Sequence, residues 1–278
     1  MSQAEIGPNR YGKSAIRLVK IIRDPSRHAV RDLTVAIALQ GKFASSYIEG
    51  DNSLVIATDT MKNTVYALAP EHLTGPIEGF GAVLARHFVA AEQVNRATVT
   101  IEEHEWRRLG EAPDAFSRDR SATRTAVVVG DPGGGLNVEA GIADLTLMKT
   151  SRSGFSGFPR DEYTTLPEVE DRIMATKVTA VWRYEGEPAY DESFAAIRST
   201  LLDAFADHHS LSVQHTIWVV GRAIVERHPE VAEITMTMPN LHHWLVDLSP
   251  FGRPNDGEIF VATTEPHGLI QATVRRGE

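Results

Sequence analysis

Apolar and polar residues alternate along Asp32-Leu33-Thr34-Val35-Ala36-Ile37-Ala38-Leu39-Gln40, and the run from Ser14 to Asp24 carries Ala15, Ile16, Leu18, Val19, Ile21 and Ile22. A period of two buries one face of an extended chain, so these runs predict two strands, joined by a turn near Pro25-Ser26-Arg27. Ser53 to Thr58 forms a further run of the same kind, and Asp59 stands as the N-cap of a helix over Thr60 to Tyr66. A second helix is predicted from Pro76 to Ala91, followed by a strand over Ala97 to Glu102.

The second half follows a similar plan. Lys177 to Tyr184 reads as a strand, Phe194 to His208 as an amphipathic helix, Ser212 to Arg227 as a strand running into a helix, and Ala232 to Met238 as a strand before Pro239-Asn240. ATVTIEEHEW in the first half and AEITMTMPNLHHW in the second each follow a long helix and close on a His next to or near a Trp. The pattern fits a duplicated strand-strand-helix-helix-strand-strand unit, divided into residues 1–135 and 136–278, with the Gly-rich Gly130 to Gly135 at the join. An ordinary α+β domain with a coincidental echo fits the same pattern.

Composition narrows the chemistry. With 278 residues, 42% hydrophobic and 23% charged, the chain can bury a proper core. It has no apolar run near the roughly 20 residues that span a bilayer, and its start lacks the apolar stretch of a secretory signal, so the expectation is a soluble protein that stays in the cell. The absence of cysteine excludes disulfides, thiolate metal sites and a Cys nucleophile. A net charge of −9 with scattered Lys and Arg argues against a nucleic-acid partner.

Gly7 to Ser14 satisfies the formal pattern of a phosphate-binding loop, but no strand precedes it and a β-like run follows it, so the expectation is no phosphate site. Gly79-Phe80-Gly81 lies inside a predicted helix and reads as a packing site. His208-His209, His242-His243 and Glu102 to Glu105 are rich in metal-ligand types, yet adjacent strand residues face opposite ways, which favours ordinary histidines over a metal centre. Phe155 to Leu166, with Glu170-Asp171-Arg172 after it, combines aromatics, a charge pair and Thr-Thr. It reads either as an intersubunit loop with a satisfied Arg–Asp pair or as a site for a planar ligand, stacked on a ring and held by a guanidinium.

On these residues the sequence resembles the urate oxidase (uricase) family over nearly its whole length. The resemblance is carried by Tyr11-Gly12-Lys13, by Ala57-Thr58-Asp59 with Lys62-Asn63-Thr64, by Phe155 through Arg172, by Ser212-Val213-Gln214, by Met238-Pro239-Asn240-Leu241-His242 and by Pro266 to Ile270. It implies an α+β tunnelling fold: two tandem antiparallel sheet-and-helix units per chain, forming a barrel-like tunnel in a homotetramer with active sites between subunits. It implies oxidation of urate by dioxygen and water to 5-hydroxyisourate and hydrogen peroxide, with no cofactor and no metal. Arg172 and Gln214 are implied to grip the pyrimidine edge, Phe155 to stack on the ring and the Val213 N–H to donate to a carbonyl. Thr58 and Asp59 are implied to contact the five-membered ring from a neighbouring chain, and Asn240 to hold dioxygen or water above it. Lys13, Thr58 and His242 are the implied proton relay.

A pterin-processing enzyme on the same fold and a non-catalytic purine-binding protein stand as alternatives. The closing Arg275-Arg276-Gly277-Glu278 departs from the peroxisomal tripeptide common in eukaryotic members, so the expected location is the cytoplasm. His243 beside His242 leaves open which imidazole serves the pocket, the spacing from Asn240 favouring His242.

Overall fold

Alternation is realised as strands in the computed structural model, which describes residues 4–277; Met1 to Gln3 and Glu278, part of the chain ends read above, lie outside them. The chain divides into two units, Met1–Gly141 and Ile142–Glu278.

In the first unit β1 (Tyr11–Ile22) and β2 (Ala29–Gly41) form an antiparallel hairpin. A short α1 (Ala44–Ile48) leads to α2 (Thr58–His72) and α3 (Ile77–Val89). Strand β3 (Val94–Glu103) then returns beside β2, a small hairpin of β4 (Trp106–Arg108) and β5 (Phe116–Arg118) follows, and β6 (Thr123–Gly130) pairs with β3. The second unit repeats the order. Strand β7 (Leu136–Lys149) carries the chain across the division, followed by β8 (Met174–Tyr184), α4 (Tyr190–Asp207), α5 (Val213–Arg227) and β9 (Val231–Leu241). A hairpin of β10 (His243–Leu245) and β11 (Phe260–Ala262) precedes β12 (Gly268–Arg275), which pairs with β9. Each unit is therefore α+β, an antiparallel sheet carrying helices.

One-sided burial fixes which face of each sheet the helices take. Leu33, Val35, Ile37 and Leu39 of β2 are fully buried while Thr34, Ala36 and Ala38 between them are partly exposed, and in β9 Ile234, Met236 and Met238 are buried while Glu233, Thr235 and Thr237 are partly exposed. The duplication extends to single contacts. Lys20 of β1 donates to the carbonyls of Ala69, Pro70 and Leu73 at the end of α2, and Lys149 of β7 does the same to Phe205 and Ala206 at the end of α4. Gly81 of α3 and Gly221 of α5 each lie against a valine of the last main strand. A methyl group on Gly81 would come within 2.7 Å of Val128, and one on Gly221 within 2.6 Å of Val274.

Several expected elements differ. Ser53 to Thr58 is not a strand: Thr58 opens α2, Ala57 is its N-cap, and Asp59 lies inside the first turn, not at the cap. That helix runs on to His72 with Pro70 inside it, and Lys20 takes up carbonyls at its end. Ser212 to Arg227 holds no strand; Ser212 is an N-cap, its hydroxyl accepting from the His215 N–H at 3.1 Å, and the apolar run after it is helical. Tyr11 to Ser14, the end of the formal phosphate-loop pattern, lies within β1.

Overpacking at the duplicated helix–strand contact gives a direct test. Gly221→Ala is expected to lower unfolding free energy by about 1–2 kcal/mol in urea titration, because the strain exceeds the helix-propensity gain. Adding Val274→Ala should recover part of that loss; a stabilised single variant would show that the contact yields freely.

Candidate active site

A cavity of the second unit, about 640 Å³, is bordered by Phe155, Arg172, Val213, Gln214, Asn240 and His242. That volume suits a small organic ligand. Three separate stretches of chain supply these residues, and short backbone bonds hold them together.

Phe155 comes from an irregular segment clamped on both sides. Its N–H donates to Val169 O at 2.8 Å and its carbonyl accepts from the Val169 N–H at 3.1 Å. Gly154 N–H donates to Ser210 O at 2.8 Å, and the Arg172 N–H donates to Ser153 O at 2.7 Å. The Phe155 ring stacks on Phe158, centroids 5.0 Å apart and 14° from parallel. The Arg172 guanidinium carbon lies 5.4 Å from the Phe155 centroid. Burial pushes the Arg172 guanidinium below its usual pKa, and its buried Nε has no hydrogen-bond partner among the described residues. A buried donor without an acceptor is costly, so this group is suited to a ligand acceptor. The Asp171 carboxylate takes the Ser153 N–H at 3.1 Å, which places Asp171 in the backbone clamp.

Val213 and Gln214 open α5. The Ser212 cap serves the third N–H of the helix, while those of Val213 and Gln214 have no intrahelical acceptor. The positive end of a 15-residue helix therefore points its first donors at the cavity edge, a setting that favours an anion.

Asn240 sits near the end of β9, opposite Gly268 of β12 and Thr176 of β8. His242 follows in the break between β9 and β10. Its ring stacks on Trp244, centroids 5.2 Å apart and 21° from parallel, and its carbonyl accepts from the Thr263 N–H at 2.9 Å. Burial, with the charges of Arg172 and His267, pushes the His242 imidazole below its ordinary pKa. His243 also borders the cavity, because the chain leaves the strand at Leu241 and the alternation that would turn neighbours apart no longer applies. Trp244 also borders it and was not singled out from sequence; its signal was the His–His–Trp close of the second half.

Lys13, Thr58 and Asp59 lie in the first unit. A bulge follows Lys13 in β1, where the register shifts and Ala15 takes a left-handed φ of 55°. Gly12 is required before it, since a Cβ there would meet Ile37 O at 1.8 Å. The Tyr11 hydroxyl donates to Ile56 O at 3.2 Å and accepts from the Ile56 N–H at 2.8 Å, tying this end of β1 to the entry of α2. The Asp59 carboxylate accepts from Lys62 at 2.5 Å and Asn63 at 2.9 Å, and these bonds, with the field of Lys13, hold it below the usual carboxyl pKa. Thr58, Asp59 and Lys13 thus form one polar neighbourhood on the first unit.

A family model described as Uricase matches residues 9–129 and 138–271. The uricase of Arthrobacter globiformis is 46% identical over 273 residues, covering 98% of this chain and 90% of that protein. That of Dictyostelium discoideum is 37% identical over 277 residues, covering 96% of each. The crystal structure of the A. globiformis uricase superposes with a TM-score of 0.95 at 45% identity, covering 99% of this chain and 96% of that one. A urate oxidase structure from Bacillus sp. TB-90 gives 0.81 at 27%, covering 97% and 100%.

The electrostatics of His242 can be read directly. Its imidazole should titrate below 6.5 by proton NMR, and Arg172→Ala should move the midpoint upward by removing a positive neighbour and opening the pocket to water. A midpoint at or above 6.5 in the unaltered protein would contradict this.

Proposed function

This chain belongs to the uricase family, and on that premise we propose that it oxidises urate in the cavity between Phe155, Arg172 and the first turn of α5. The observation that carries the assignment to this cavity is the Arg172 side chain, a half-buried cation whose buried Nε has no partner among the described residues, beside an aromatic ring and a helix N-terminus. A planar anion with carbonyl oxygens along its edge satisfies all three at once.

In this reading urate lies on Phe155. Arg172 donates to one end of its pyrimidine edge, the Gln214 amide donates and accepts at the other, and the Val213 N–H meets a carbonyl. Family membership supports this arrangement, as do the six residues bordering one cavity. Thr58 and Asp59 approach the five-membered ring from a neighbouring copy in a homotetramer, bringing Lys13 with them.

The reaction balances as urate plus dioxygen plus water giving 5-hydroxyisourate plus hydrogen peroxide. Urate loses two electrons to dioxygen, two protons complete the peroxide, and the water adds its hydroxyl to carbon 5. An electron-rich urate anion can pass electrons to dioxygen without a cofactor, so the protein's task is to hold the anion and move protons. Lys13 draws on the Thr58 hydroxyl, and His242, whose neutral form is favoured by burial and by Arg172, accepts a proton from the attacking water. Asn240 holds dioxygen or that water above the ring.

Turnover separates an enzyme from a purine-binding protein on the same fold. Purified, chelator-treated protein should consume urate only with dioxygen present and release peroxide in equal amount; urate untouched by a folded, assembled sample would remove the activity. Lys13→Met and Thr58→Ala should each cut kcat about 10²–10⁴-fold with little change in KM. Arg172→Ala should instead raise KM about 10–100-fold, the loss of charge-assisted hydrogen bonds. Equal, mild effects at all three positions would speak against these roles.

A further inference from the structure

At the start of α5 a chain of hydrogen bonds joins His208, Thr216 and Ser210, none of which borders the cavity. His208 follows α4 and uses both ring nitrogens. Its Nδ1 is 2.8 Å from Ala204 O, and its Nε2 is 3.0 Å from Thr216 Oγ1. A carbonyl only accepts, so Nδ1 carries the hydrogen, and in the neutral ring Nε2 must accept from the Thr216 hydroxyl. Burial favours that neutral form, and the charge of Lys149 adds to it.

Thr216 is fully buried, as is Ser210. Their hydroxyl oxygens are 2.8 Å apart, and both lie near the carbonyl of the cap residue Ser212, Ser210 Oγ at 3.0 Å and Thr216 Oγ1 at 3.1 Å. With the Thr216 proton committed to His208, the Ser210 hydroxyl supplies the hydrogen of the 2.8 Å contact and donates to Thr216 Oγ1, while the Ser212 carbonyl accepts from the Thr216 N–H at 3.0 Å. The backbone of Ser210 is in turn bonded to the segment that carries Phe155: its N–H donates to Arg152 O at 2.9 Å, and its carbonyl accepts from Gly154 N–H at 2.8 Å. The stacking ring and the helix that presents Val213 and Gln214 therefore share one buried network whose proton order begins at His208.

We propose, resting on the urate site assigned above, that His208 is a positioning residue of that site: through Thr216 and Ser210 it sets the first turn of α5 against the Phe155 segment. A shift of that turn moves the edge donors relative to the stacking face, so urate binding suffers while the proton relay is left intact. This also accounts for His208 without a metal, since neither ring nitrogen is available to one.

The test uses the full chain in its own assembly, with steady-state kinetics and anaerobic urate binding by calorimetry. His208→Asn keeps a donor for Ala204 but loses the bond to Thr216, and Thr216→Val removes the hydroxyl at nearly constant shape. Each should raise KM and the urate Kd about tenfold with kcat within about twofold, a loss on the scale of one or two hydrogen bonds. Thr216→Ser should restore both constants to near the parent values. Unchanged Kd in folded variants would overturn the proposal, as would a Thr216→Ser chain that behaves like Thr216→Val. Should neither variant fold, histidine 15N shifts of the parent protein decide: hydrogen on Nδ1 of His208 is required, and hydrogen on Nε2 alone overturns the network. A parent protein that binds urate without oxidising it would fail the activity and leave this inference to the binding data.

Discussion

A helix packed on a sheet covers only as much strand as it is long, and in the second unit the strand outlasts the helix. Gly221 of α5 sits on Val274 of β12. From there α5 runs back to Val213, a rise of about 12 Å, while β12 runs back to Gly268, about 20 Å. The side chains on the helix-covered face follow a period of two, so Val274 shares its face with Ile270 and Gly268, and Met236 and Met238 share theirs with Asn240. These last positions emerge beyond the start of the helix and border the cavity. The pocket is thus a consequence of unequal lengths, and its polar floor begins where the apolar alternation of β9 stops.

The first unit obeys the same constraint with different chemistry. The Tyr66 hydroxyl donates to Arg17 O at 3.2 Å, Lys20 reaches the end of α2, and Tyr11 holds Ile56 just before it, so β1 and α2 run side by side from their first residues. That alignment sets Lys13 beside the opening turn of α2. Both units thus present a helix N-terminus near their functional residues, with Thr58 and Asp59 at one and Val213 and Gln214 at the other. A helix end that carries partial positive charge suits a substrate that is an anion throughout the reaction. Sequestration of the Asp59 carboxylate by Lys62 and Asn63 limits the opposing negative charge.

Buried polar groups make these arrangements specific. In the Ser210–Thr216–His208 chain each side-chain polar atom has a partner, whereas Arg172 Nε is left with none among the described residues. Satisfied networks rigidify, and unsatisfied donors are sites of recognition.

By itself the sequence determined the strands β1, β2, β3, β8 and β9 and the helices α2, α3 and α4, with the duplicated plan as one of two readings, because alternation and helical periodicity are local consequences of one-sided burial. It also carried the motif islands through which the family is recognised. It misread Ser53 to Thr58 and the start of α5, where apolar content fits strand and helix equally and only the contacts of Tyr11 and the Ser212 cap decide. Only the tertiary structure decided that Phe155, Arg172, Gln214, Asn240 and His242 border one cavity, that His243 and Trp244 join them, and that His208 is tied to Thr216. Those facts depend on where a helix ends relative to a strand and on bonds between residues distant in the chain, neither of which a local pattern encodes.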